Sequence, residues 1–386
     1  MPLTNGESLR TLQLGNDWFG ERQGGLNRVY SELLRHLPGA NVEVRGLVAG
    51  SPGVAASTGG VVTGFAPAKA PLPKRLWEAR KAGLHELKSG HFDLVASHFA
   101  LYTLPIVDAL KRTPTVIHFH GPWAAEAGVE GQSSLGSRVQ AAMERAVYQR
   151  GRRLIVLSEA FAHELVRRYR VPENLVRLVP GGIDSDRFHD RLTRAETRER
   201  LGWPIDRPTV LAVRRQVRRM GLENLIDATL QVRKHVPEIM IMLAGSGPIM
   251  GELRERITSA GLENHIRQLG RVEDADLPTA YRAADLSIVP TQALEGFGMI
   301  TLESLACGTP VLVSPVGGLP EVIRPFDPRC VLADASTNTI AESLTSFLTG
   351  AEKLPSSDAC RAYAVKNFDW PVIAAKTRAV YEEALV

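Results

Sequence analysis

Ala293-Leu-Glu-Gly-Phe-Gly-Met-Ile-Thr-Leu-Glu-Ser-Leu-Ala-Cys-Gly-Thr-Pro310 carries two carboxylates, Glu295 and Glu303, with seven residues between them. Glu295 opens a Gly-rich turn, Glu295-Gly-Phe-Gly298. Met299 to Ala306 reads as a helix, closed by Gly308 and Pro310. A helix start leaves backbone N–H groups free and carries the positive end of the helix dipole, which suits a phosphate or diphosphate. A carboxylate on either side of that start can accept hydrogen bonds from sugar hydroxyls. On local chemistry alone the stretch equally suits a strand–loop–helix unit whose glutamates are solvated, so the flanking chain has to decide.

Upstream, Leu286-Ser-Ile-Val-Pro290 reads as the strand that delivers this turn. Before it the chain alternates strand and helix from Thr209 onward. The strand Thr209–Val213 runs into Arg214-Arg-Gln-Val-Arg-Arg-Met-Gly221 and then a helix from Leu222 to His235. Four arginines between a strand end and a helix start form an anion site by composition and position. Ile239–Ala244, Ile266–Val272 and Pro310–Ser314 read as further strands, and Ile249–Ala260 and Leu277–Ala284 as helices.

The first half has the same alternation. Leu9–Leu14 reads as a strand, Gly15–Gly20 as a loop, and Gly24–Leu37 as a helix with Leu26, Val29, Tyr30, Leu33, Leu34 and Leu37 on one face. The G-x-G-x-x-G dinucleotide fingerprint is absent, so Gly24-Gly25 is expected only to permit close approach. Asn41–Val48 is the next strand, and the Gly/Ala/Pro/Ser-rich residues 50–73 read as a loop. Pro73–Lys88 is basic and helical, with Leu76, Trp77, Leu84 and Leu87 assigned to one side. It reads as an ordinary surface helix, with a membrane interface as the alternative. Asp93–Ser97 is a strand followed by His98, Thr115–Pro122 is a strand ending in a loop with His120 at its end, and ligands collect at such carboxyl ends. His120 is therefore a candidate functional residue, whereas His118, two residues back, reads as a satisfied core histidine.

Pro180-Gly-Gly-Ile-Asp-Ser-Asp-Arg-Phe188 has hinge composition and divides the chain into halves at 182/183, with the last helix, 370–386, expected to return to the first half. Within it, Asp184-Ser-Asp186 has the D-x-D form of a metal motif but reads as turn chemistry.

Composition narrows the class. The 386 residues carry a net charge of +4 with 44% hydrophobic and 23% charged content, ordinary for a globular protein and without the basic, aromatic-laced blocks of a nucleic-acid binder. Three scattered cysteines give neither a disulfide framework nor a metal spacing, so a cytoplasmic setting is expected. Met1–Glu7 lacks a signal-peptide pattern, and no apolar run reaches the roughly 20 residues of a membrane span.

Glu295-Gly-Phe-Gly-Met-Ile-Thr-Leu-Glu303 with Ala306-Cys-Gly-Thr-Pro310, Gly24-Gly25, His118-Phe-His-Gly121, Val179-Pro-Gly-Gly-Ile-Asp184 and Ala244-Gly-Ser-Gly-Pro248 resembles the retaining glycosyltransferases of family 4 over nearly the whole chain. The resemblance implies the GT-B architecture, an α/β fold of two Rossmann-like domains facing each other across a cleft. It makes 1–182 the acceptor domain and 183–369 the donor domain. It implies that Glu295 holds hydroxyls of the donor sugar and Glu303 those of the ribose. Phe297, Gly298, Met299 and Ile300 would meet the sugar and diphosphate through their backbones, and Val272 the base. Arg215 would bind the diphosphate, Gly24-Gly25 would lie beneath it, and His120 would sit beside the reacting sugar. The catalytic set is then His120, Glu295, Arg215 and Arg219. Arg219 enters because the family has Lys-Gly where this chain has Met220-Gly221, so a second cation must come from Arg219 or Arg218. No cofactor and no metal are implied. The co-substrate would be a UDP- or GDP-sugar, and the acceptor a small molecule, a saccharide or a lipid-linked hydroxyl, the last with peripheral contact at the inner face of a membrane. Nucleic acid is not an expected partner. A phosphorylase or nucleotide-sugar epimerase on the same fold, and a non-catalytic sugar-nucleotide binder, are the competing readings.

Overall fold

The computed structural model describes residues 8–122, 134–189 and 191–386. The N-terminal stretch and most of the segment Trp123–Ser137, expected to shape acceptor choice, lie outside the described residues. The chain forms two compact units, Met1–Gly182 with Trp370–Val386, and Ile183–Asp369.

The first unit is built on β1 (Leu9–Asp17), β2 (Val42–Ala49), β3 (Val62–Ala66), β4 (Leu94–Ser97), β5 (Thr115–Phe119), β6 (Arg153–Val156) and β7 (Val176–Leu178). They form one parallel sheet in the order β3-β2-β1-β4-β5-β6-β7. The order reverses between β1 and β4, which makes their carboxyl ends the place where an open α/β sheet leaves a crevice. β4 and β5 are buried on both faces, as apolar strands of a parallel sheet should be.

Three sequence expectations need correction here. Gly15-Asn-Asp is not loop: β1 continues to Asp17, paired with Ala49 after a register shift past Leu14. The stretch 50–73 is not all loop: it contains a short helix, Gly53–Ser57, and the edge strand β3. Gly64 is responsible, because a Cβ there would meet the backbone of Gly50 and Ser51, so the strand needs a residue with low strand propensity. The helix Leu72–Ser89 forms, but Trp77 is 68% exposed, while Leu76, Leu84 and Leu87 pack inward with Ala79. Trp77, about 100° around the helix from Leu76, falls on the solvent side of that packed face.

The C-terminal helix, Trp370–Leu385, packs on this first unit. Arg378 donates to the Ala40 carbonyl (2.8 Å), Glu383 pairs with Arg153 and Arg177, and the Tyr381 hydroxyl reaches His118.

The second unit holds β8 (Thr209–Val213), β9 (Met240–Ala244), β10 (Ile266–Gly270), β11 (Leu286–Val289) and β12 (Val311–Val313), all parallel, in the order β10-β9-β8-β11-β12. Its reversal falls between β8 and β11. Three further helices, Arg194–Leu201, Thr337–Leu348 and Ser357–Phe368, stand in stretches the sequence reading left unassigned. Each begins at a capping Ser or Thr, and Thr193 with Glu196 forms a full capping box.

Candidate active site

In the second unit the charged groups gather where β8 and β11 end. Arg214 is the first residue past β8. Its N–H donates to the Ala244 carbonyl at 2.8 Å, which extends the β8–β9 ladder and fixes the side-chain direction. The residue is only 8% exposed. Its Nη2 lies 2.6 Å from Glu295 Oε2, 2.6 Å from Thr291 Oγ1 and 2.6 Å from Met220 Sδ. Thr291 and Glu295 both follow β11, so the ion pair joins the two strands at the reversal point.

The turn that carries Glu295 is held from three sides. Leu294 is left-handed, with φ 55°, a strained state for a leucine. Its carbonyl accepts a hydrogen bond from Arg219 Nη1 at 2.7 Å. The Glu295 carbonyl accepts from the Gly318 N–H at 3.1 Å. Gly317 sits against that carbonyl at φ 59°, where a Cβ would overlap it, so only glycine fits. The helix Met299–Ala306 begins four residues after Glu295 behind Gly298, with no side-chain cap on its first N–H groups.

Glu303 lies on that helix and is 5% exposed. Its Oε2 accepts from the Tyr281 hydroxyl at 3.1 Å. Burial, reinforced by Glu303, holds the Tyr281 phenol protonated as that donor. The two glutamates are therefore not solvated surface groups.

Of the other candidates, Phe297 and Gly298 are buried, Met299, Ile300 and Val272 half-buried, and Arg215 exposed. Arg218 points outward, 69% exposed, and pairs with Glu223 and Glu252. Arg219 is half-buried and gives its Nη1 to the Leu294 carbonyl. Arg214 puts its guanidinium against the Met220 thioether. The sequence reading named Arg214 only as one of four arginines; its signal was the ladder position next to the strand end. Asp184 behaves as turn chemistry, its Oδ1 accepting from the Arg187 N–H at 2.9 Å.

In the first unit, Gly24 and Gly25 precede and open the helix Gly25–His36 and are exposed. A Cβ at Gly25 would meet nothing within 4 Å, and one at Gly24 only Asn27 Nδ2 at 3.8 Å, so the protein's own packing does not require these glycines. His98, His118 and His120 collect at the ends of β4 and β5. Their ring nitrogens lie within 4.8 Å of one another. The rings are nearly parallel, with interplanar angles of 16°, 19° and 13°, so their in-plane lone pairs do not converge on one point as a metal requires. Instead His98 Nδ1 meets His120 Nε2 at 3.3 Å, His98 Nε2 meets Gln13 Oε1 at 2.9 Å, and His118 Nε2 meets the Tyr381 hydroxyl at 2.8 Å. Gln13 and Tyr381 are members of this cluster that sequence reasoning missed, and His98, placed at the end of its strand, was not singled out. A glutamine between two buried leucines of β1 was the available sign.

Burial pushes His120 down to about 4 and His98 and His118 well below the ordinary value of 6.5. Below 6.5 the unfolded chain takes up a proton at His120 that the folded chain refuses until about 4, and His98 and His118 act in the same direction. Stability then rises with pH across that window and is lost as the pH falls through it. Urea unfolding at pH 7.5 and pH 5 is expected to show this loss, with a smaller difference in His118→Gln.

A model described as Glycosyltransferase Family 4 matches residues 23–187, and one described as Glycosyl transferases group 1 matches residues 193–366. The Anabaena protein HepE, solved in complex with UDP, superposes with a TM-score of 0.79 at 19% identity, covering 97% of this chain and all of that one. The chain has the GT-B fold, and its two halves match glycosyltransferase domain models. Among sequence relatives, a GDP-mannose-dependent alpha-(1-6)-phosphatidylinositol monomannoside mannosyltransferase of Mycobacterium tuberculosis is 30% identical over 215 residues. That match covers 53% of this GT-B chain and 55% of the relative, so the chain spans about half the relative's length. A D-inositol 3-phosphate glycosyltransferase of Kineococcus radiotolerans is 27% identical over 420 residues, covering 98% of this chain and 94% of that one. Among the described residues no helix is long and apolar enough to cross a membrane.

Proposed function

We propose that this protein transfers a sugar from a nucleoside diphosphate sugar to an acceptor hydroxyl, with retention at the anomeric carbon and without a metal ion. The observation that carries this reading is the Arg214–Glu295 pair, held by Thr291 beside an uncapped helix start. Arg214 spends Nη2 on one oxygen of Glu295, which leaves the other carboxylate oxygen to accept from the sugar. The helix start and Arg215 face the diphosphate. As the bond to the anomeric carbon breaks, negative charge grows on the leaving phosphate, and fixed positive groups there lower the barrier where charge develops. Arg214 supplies the second positive charge that Met220 does not, and this chain's own guanidinium and helix dipole do the work of a divalent ion. Glu303, oriented by Tyr281, receives the ribose hydroxyls. Front-face attack follows, in which the leaving phosphate takes the acceptor's proton and Glu295 positions the sugar without becoming a nucleophile.

UDP and GDP are the favoured donor nucleotides, since relatives are described with GDP-mannose and with UDP. The acceptor is a polyol hydroxyl, of the inositol class named for two relatives, free or lipid-linked.

Calorimetry with UDP- and GDP-sugars tests the donor half of this reading. Glu303→Gln is expected to weaken donor binding by about tenfold, the effect of a hydrogen bond to a charged group, and excess chelator should leave both binding and turnover unchanged. Loss of activity in chelator would return the metal question to Asp184-Ser-Asp186, and unchanged affinity in Glu303→Gln would remove the ribose role.

A further inference from the structure

The hydrogen bonds that lead from β1 to His120 fix the position of every proton on the way. The Glu43 backbone carbonyl can only accept, so the Thr11 hydroxyl donates to it at 2.9 Å. Thr11 Oγ1 therefore accepts from Gln13 Nε2 at 2.8 Å, which sets the orientation of the Gln13 amide. Its Oε1 then faces the histidines and accepts from His98 Nε2–H at 2.9 Å and from the Tyr381 hydroxyl at 3.3 Å. Tyr381, having given its proton to Gln13, accepts from His118 Nε2–H at 2.8 Å. His98 is neutral, because burial holds it well below 6.5. With its proton on Nε2, its Nδ1 is a bare acceptor. The contact of 3.3 Å to His120 is consequently a donation from His120 Nε2–H.

That leaves His120 Nδ1 without a proton. Among the described residues this atom is buried and has no hydrogen-bond partner. A buried acceptor without a donor is costly, and the group that satisfies it must bring its own hydrogen. We propose that Gln13 and His98 act as positioning residues that lock His120 in the Nε2–H tautomer, and that His120 Nδ1 accepts a hydrogen bond from a substrate hydroxyl and not from an ionised phosphate, which has no proton to give. This deepens the sugar-transfer reading and rests on it only for the identity of the hydroxyl. The lock reaches back through Tyr381 to the C-terminal helix, whose tip thereby bears on the tautomer of a residue at the end of β5.

Long-range ¹H–¹⁵N NMR on histidine-labelled full-length protein reads the tautomer directly, before any ligand is added. The expected result is His120 protonated at Nε2 and bare at Nδ1. In Gln13→Met the lock is removed, so His120 should become a mixture of tautomers and turnover should fall about tenfold, the effect of one hydrogen bond, with donor KM little changed. UDP or GDP alone should leave the Nδ1 signal in place, and the corresponding nucleotide sugars should move it. A proton on Nδ1 in the free protein overturns the tautomer assignment. An unaltered tautomer and turnover in Gln13→Met overturns the role of Gln13, whereas a Nδ1 shift caused equally by UDP or GDP alone overturns the hydroxyl assignment. If no nucleotide sugar binds at all, the sugar-transfer reading and its hydroxyl fail together, and the spectrum of the free protein still decides the tautomer.

Discussion

Arg214→Ala is expected to lower turnover of the nucleotide sugar by about a hundredfold or more, the range found when one fixed donor is taken from a site of developing charge. The reason is geometric. Arg214 is 6% exposed at the side chain, and its Nη2 is shared among Glu295, Thr291 and Met220. Its removal takes positive charge from the site and releases the carboxylate it orients. Leaving Glu295 without its partner also destabilises the unit, by about 3–5 kcal/mol for a buried pair, so thermal unfolding must accompany the kinetics. Two controls separate charge from folding. Adding Met220→Lys to Arg214→Ala returns a cation to the same spot and should recover part of the turnover. Arg218→Ala, on a side chain 69% exposed and paired outward, should change turnover and stability little. Equal losses in Arg214→Ala and Arg218→Ala, or no recovery with Met220→Lys, would contradict the placement of the second cation.

Glu295→Gln should be comparably severe, with a loss of about a hundredfold in kcat, because the neutral amide keeps the shape while weakening the acceptor offered to the sugar and leaving Arg214 an uncompensated charge. Its effect should not add to that of Arg214→Ala. Residues in one ion pair couple, and the double variant should be much less than ten-thousandfold impaired, against the product of the two singles. Full additivity would mean that the pair seen in the structure does not act as a unit.

The parts of the molecule that follow from periodicity were legible in the sequence. Met299–Ala306 coincides with the predicted helix, and the strand predicted from Thr115 runs as β5 up to His120 before its loop. What failed was composition read as structure. Residues 50–73 looked like a loop because a tight crossing past Gly50 forces small residues on β3, and strand propensity cannot register that constraint. In the site, Glu295, Glu303 and His120 announced themselves by standing at a strand end or helix start. Arg214 did not, because four arginines in eight residues are equivalent on paper. Only the β8–β9 ladder, which carries Arg214 inward and lets Arg218 turn out to solvent, tells them apart. Tyr281 and Tyr381 were beyond reach for a related reason. Their partners, Glu303 and His118, are 22 and 263 residues away, and tertiary packing alone brings them together.

Sugar transfer with retention is tested most directly by following a panel of UDP- and GDP-sugars by ¹H NMR with the purified protein, excess chelator and no acceptor. At least one donor should be consumed slowly by water, releasing the nucleoside diphosphate and a sugar whose first-formed anomer matches the donor, and Glu295→Gln should suppress the reaction. An inverted first anomer would contradict retention, and a panel that is neither bound nor consumed would contradict sugar transfer from a nucleotide donor altogether.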